Sequence, residues 1–178
     1  RYFGLYYKYH FLDRQMTRVT NFLLLANFNK WTNNKIITFC KKLTENEYKK
    51  DRKAFFSSIH GTLNHLLVVD RAFISRLENK DHGIKNLDQI LYENLLELEE
   101  ARIKEDKHLV DLVNSLSEES LTKEITYKGF ESGETTSTIN RILITMFNHQ
   151  THHRGQIHNM LSQAGIKPPQ IDIPDLII

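Results

Sequence analysis

The chain is poor in the residues that staple or punctuate a fold. It has one cysteine, Cys40, which rules out an internal disulfide and fits a reducing compartment. Only three prolines and seven glycines occur in 178 residues, and punctuation that sparse favours long helices. Charge of one sign is missing as well. The net charge is +2, with Lys and Arg scattered along the chain, too weak and dispersed for a nucleic-acid footprint. No apolar run approaches the roughly 20 residues of a membrane span, and nothing resembles a secretory h-region. The expectation is a cytoplasmic protein with neither a membrane nor a nucleic-acid partner. Internal repeats and low-complexity tracts are also absent.

What is present is the composition of a soluble globular domain, 40% hydrophobic and 26% charged, long enough to close its own core. Residues 1–15 are crowded with aromatics and lack an initiating methionine. Met16 reads as a natural start, and residues 1–15 as an N-terminal aromatic extension ahead of a single domain over 16–178. Apolar spacing of three and four residues predicts four long helices, at about 17–42, 57–79, 86–116 and 138–164. Thr44 and Glu47 have the spacing of a capping box that opens a short extra turn. Between the third and fourth helices, Glu124–Lys128 and Glu134–Ser137 flank Gly129 and Gly133, which predicts a small β-hairpin or an extended loop. Gly165 ends the last helix, and the proline-bearing tail lays its isoleucines across the bundle. The fold class is therefore an all-α bundle.

Two features interrupt the apolar stripes. In the first helix Asn29 and Asn33 fall where apolar residues belong; they either hydrogen-bond a buried group or line a pocket between helices. In the fourth, the stripe Ile139, Ile142, Met146 continues through His149 and His153 to Ile157 and Met160. At i and i+4 these two imidazoles lie one turn apart on the core side and can converge on one ion. His152 projects to the flank and His158 points away. His65, at the margin of the second helix's apolar arc, is a candidate third ligand. Hydrogen-bonded core histidines are the competing reading. The HExxH pattern of zinc proteases is absent. The third helix carries dense Glu and Lys, which reads as a solvated face with no catalytic role.

Four segments together resemble the DinB family of small helical metal-binding proteins. They are Phe28–Asn33, Ser57–Asp70, Asn148–Gln156 and Gly165–Asp172. Phe28 stands where tyrosine is common in that family, and Phe73 where tryptophan is. The resemblance implies a four-helix bundle of up-down-down-up order, often a homodimer, holding one divalent metal ion per chain. Its ligand positions fall on His65, His149 and His153. Zinc is the first choice of metal, with nickel or iron as alternatives, because imidazole suits several divalent ions.

Three neutral imidazoles leave the ion its full positive charge and an open position. Two reaction classes follow: hydrolysis, and transfer involving a low-molecular-weight thiol, each on a small-molecule substrate. Asp70 and Gln156 are candidates to buttress the ligands and Arg154 to hold an anionic substrate, while Asn29 and Asn33 are candidates to face the same cavity. The alternative is a non-catalytic, metal-stabilised, stress-associated interaction protein. No general base stands out, so the catalytic residues are unknown.

Overall fold

The computed structural model of the protein describes residues 17–130 and 133–176; the aromatic segment 1–15 lies outside them. In chain order it contains α1 (Arg18–Cys40), a short α2 (Glu45–Lys49), α3 (Ile59–Leu77), α4 (Leu95–Asn114), β1 (Glu124–Lys128), β2 (Glu134–Thr138) and α5 (Ile139–Gln163). Side-chain oxygens cap the starts of all five of these α-helices. Thr17 accepts from the Thr20 amide, Thr44 from Glu47, Ser58 from Gly61, Asn94 from Glu97 and Thr138 from Arg141. Each cap satisfies an amide with no partner inside the helix, worth about 1 kcal/mol.

One boundary differs from the sequence reading. Leu87, Ile90 and Leu91 have helical spacing, yet α4 begins only at Leu95. The preceding segment is irregular because the buried side chain of Asn64 captures its backbone. Asn64 Oδ1 accepts from the amides of Leu91 and Tyr92, each at 2.9 Å, and its Nδ2 donates to the Tyr92 carbonyl at 3.1 Å. These bonds replace the helical ladder that the apolar spacing implied.

The core has two apolar clusters. One gathers Phe22, Ala26, Phe73, Leu109, Val113 and Met146. The other gathers Ile36, Cys40, Ile59, Leu98, Ile157 and Met160. Chain direction follows from this division. α1 runs from the first cluster to the second, α3 and α4 both run back, and α5 returns, an up-down-down-up bundle. α1 packs chiefly on α4 and α5, and α3 packs on α5 and α4.

Between the clusters lies a belt of buried polar side chains, one or two from each long helix. Arg102 sits between Asp70, at 2.7 Å, and Asp106, at 3.0 Å. Asn33 donates to Asp106 at 3.0 Å and Asn29 at 3.3 Å. Arg154 donates to Asn29 and, at 3.3 Å, to Gln150. Two arginines face two aspartates, so the belt can be buried without net charge. The Glu and Lys residues of α4 lie on its exposed and half-buried faces, as expected, but the charged side chains of that helix are not all solvated. Arg102 and Asp106 are buried on it, because Arg102 pairs with Asp70 on α3 and Asp106 accepts hydrogen bonds from Asn29 and Asn33 on α1.

β1 and β2 pair antiparallel, with Glu124 opposite Thr138 and Lys128 opposite Glu134. The tail matches its expectation in part: Ile166 and Ile171 pack on the second cluster, whereas Ile173 is exposed and Leu176 is buried. Among the described residues, no helix is long and apolar enough to cross a membrane.

Candidate metal centre

His149 and His153 lie one turn apart on α5, their ring centroids 4.4 Å from each other. His65 on α3 faces both, at 5.0 Å from His149 and 4.6 Å from His153. One nitrogen from each ring lies within 4.8 Å of the other two, a spacing at which three imidazoles could share one ion. His65 and His153 are buried and His149 is half-buried.

The partners of these rings set which nitrogen faces inward. His65 Nδ1 is 2.7 Å from the Leu87 carbonyl oxygen. A carbonyl only accepts, so Nδ1 carries the proton and the Nε2 lone pair points the other way. That Nε2 lies 3.0 Å from His149 Nε2. His153 Nδ1 donates to Gln156 Oε1 at 2.8 Å, which leaves its Nε2 free to accept as well. Gln156 Nε2 then donates to His152 Nε2 at 3.0 Å. The capture of the segment before α4 by Asn64 is what delivers the Leu87 carbonyl to His65.

Electrostatics agree with this arrangement. Burial lowers His65 to about 4 against the pull of its Leu87 hydrogen bond. Burial, and then the neighbouring imidazoles, lower His149 to about 3. Burial lowers His153 too. All three rings are neutral at pH 7, the state a metal ligand requires. Lone-pair nitrogens packed this closely need a proton or a cation between them. Buried His149 Nδ1 has no hydrogen-bond partner among the described residues, so its ring gains its stabilisation on the Nε2 side. The donor set fits a divalent ion.

Of the other residues singled out in the sequence, only Gln156 belongs to this cluster. Asp70 pairs with Arg102 in the polar belt, where burial raises its carboxyl to about 6 while Arg102 and Gln150 pull it down. Arg154 is buried and committed to Asn29 and Gln150. Desolvation lowers its guanidinium to about 10. Asn29 and Asn33 serve Asp106 as hydrogen-bond donors, the simpler of their two readings. A cavity of about 430 Å³ between α1 and α4 is lined instead by Asn27, Trp31, Asn34, Arg102 and Asp106, among others. Sequence reasoning missed Phe56, whose ring stacks on His65 at 3.7 Å with a 19° interplanar angle. It also missed Asn64 as the anchor of the Leu87 segment, though the Asn64-His65 pair was visible.

Comparison with known proteins places the chain in a family. The sequence pattern of the DinB family matches residues 16–177. The chain belongs to the DinB family. Protein DinB of Bacillus subtilis (strain 168) is 32% identical over 151 residues, covering 79% of this chain and 84% of that one. Among solved structures, the crystal structure of a DinB-like protein from Bacillus cereus ATCC 10987 superposes with a TM-score of 0.62. It is 19% identical and covers 79% of this chain and 91% of its own. That identity shows a shared fold only. As a DinB family protein, the chain has a three-histidine cluster that could hold a metal ion, on the two helices where the resemblance places it.

Proposed function

We propose that this DinB family protein binds one divalent ion per chain through His65, His149 and His153, zinc before nickel or iron, and uses it as an enzyme on a small molecule. The observation that carries this reading is the convergence of three neutral imidazoles whose nitrogens lie within 4.8 Å of one another. An ion held only by neutral ligands keeps its charge, which acidifies a bound water or thiol at neutral pH. Hydrolysis and low-molecular-weight thiol transfer are the two reaction classes that this chemistry serves. The chain's own residues have separable tasks. Leu87 and Gln156 hold the proton on Nδ1 of His65 and His153, which fixes the donor nitrogens.

Elemental analysis tests the site. Purified protein should carry close to one divalent ion per chain, and His153→Ala should lose it, while His152→Ala and His158→Ala keep it. Full stoichiometry in His153→Ala would remove this ligand set. Activity comes next, with panels of thiol acceptors and of esters and amides screened before and after chelation. Chelator-sensitive turnover supports the enzyme. Metal content without turnover favours the alternative, a non-catalytic metal-stabilised interaction protein.

A further inference from the structure

The segment between α2 and α3 is built with unusual constraint. Lys53 and Ser57 adopt φ values of 58° and 60°, a left-handed conformation that costs a non-glycine residue energy and persists only where surroundings enforce it. The enforcing contacts are present. The Arg52 amide donates to the Ser57 carbonyl at 2.7 Å, the Ser57 amide to Ala54 at 2.8 Å, and the Ser58 amide to the Phe56 carbonyl at 2.6 Å. The Arg52 side chain is anchored on Glu47.

The turn then presses against the first turn of α3 at Gly61. A Cβ there would collide with the Phe56 carbonyl oxygen and lie 3.3 Å from the carbonyl carbon. Both atoms are backbone, so a larger residue cannot be relieved by a side-chain rotation. Gly61 is thus the position that lets the turn seat. What the turn delivers is the ring of Phe56, face-on to His65 at 3.7 Å and edge-on to His153 at 5.5 Å. Its neighbour Phe55 is 86% exposed.

The geometry points to Phe56 as a positioning residue of the histidine cluster, seated by the missing side chain of Gly61, so that metal affinity depends on two residues that are not ligands. The Leu87 carbonyl restrains the His65 ring in its plane and Phe56 restrains it from the face; together they leave it one orientation. The stack also discriminates between the empty and the loaded state. A bound cation draws electron density from the imidazole, and the electron-rich face of a benzene ring is attracted to the charge that results. Phe56 therefore stabilises the loaded cluster more than the empty one. This inference rests on the metal-site reading above.

The test uses the full chain, with zinc and cobalt(II) as probes. Zinc affinity is measured by competition with a chromophoric chelator, cobalt coordination by visible absorption, and folding by thermal unfolding of the metal-free proteins. Phe56→Leu keeps an apolar side chain without a ring and should bind zinc about tenfold or more weakly, the scale seen when groups behind metal ligands are removed. Its cobalt spectrum should shift. Phe56→Tyr keeps the ring and should restore both. Gly61→Ala should weaken zinc binding as Phe56→Leu does; should it fail to fold, Phe56→Leu decides alone. Phe55→Ala, on the same turn, should bind like the parent. Parental affinity and spectrum in Phe56→Leu would overturn the inference and leave the metal site standing. Equal weakening in Phe55→Ala would overturn it too, since the effect would belong to the turn and not to the ring. A parent protein that takes up neither ion would instead remove the reading beneath it.

Discussion

The three histidines are neutral because they are buried, and this has a sign. A histidine with an ordinary value near 6.5 when unfolded, held at about 4 (His65) or about 3 (His149) when folded, contributes stability that is fully present above pH 6.5. That contribution is lost as pH falls toward the folded values. Asp70 works the other way: raised from 3.8 to about 6, its contribution is lost as pH rises through that window. Stability alone would therefore mix opposing effects, and the rings are better observed one at a time. In the metal-free protein, the imidazole C–H resonances of His65 and His149 should stay flat between pH 8 and pH 5. Titration of either near 6.5 would show a ring open to water. The same residues also mark how far the sequence was legible. His149 and His153 could be found from spacing, since a polar pair on an apolar stripe stands out. Arg102 and Asp106 could not, because on a helix rich in Glu and Lys nothing local separates a buried ion pair from a solvated one.

At the scale of elements, α3 and α5 supply all three rings; the apolar stripe made the core-facing of His149 and His153 readable, whereas the up-down-down-up order came only with the family resemblance. The late start of α4 was not. Its apolar spacing extends back to Leu87, and only the distant Asn64 side chain makes that stretch irregular. A helix pattern overruled by a long-range capture leaves no trace in its own residues. An ion shared by α3 and α5 would link two helices that otherwise meet mainly through apolar contacts. A ligand that binds only the folded state adds about 2.7 kcal/mol at a hundredfold excess over its Kd. For a chain of this length that corresponds to a rise in Tm of about 5–10 °C. Zinc at that excess should raise the unfolding temperature of the chelator-stripped protein by this amount, and His149→Ala should abolish the rise. An unchanged Tm in the parent would mean that the ion does not bridge the helices.

At the scale of the whole molecule, the two apolar clusters hold the bundle ends and the polar belt holds its middle. One outer face is less well served. Leu96 and Ile103, seven residues apart on α4, are 65% and 54% exposed, on the same side of the helix. We propose this face as part of a homodimer interface, the assembly that the family resemblance implies. Sedimentation at micromolar concentration should give a dimer, and Leu96→Glu with Ile103→Glu should give a folded monomer. A parent that sediments as a monomer would end the proposal.

The junction between hairpin and last helix has a consequence for how this bundle can vary. Thr138 is both the final ladder residue, opposite Glu124, and the cap of α5, and the Ile139 amide donates to the Lys123 carbonyl. With no slack between ladder and helix, the hairpin acts as a keyed shaft that clocks α5. A single residue added after Thr138 would turn everything downstream by about 100° and swing both of its imidazoles off their bearing.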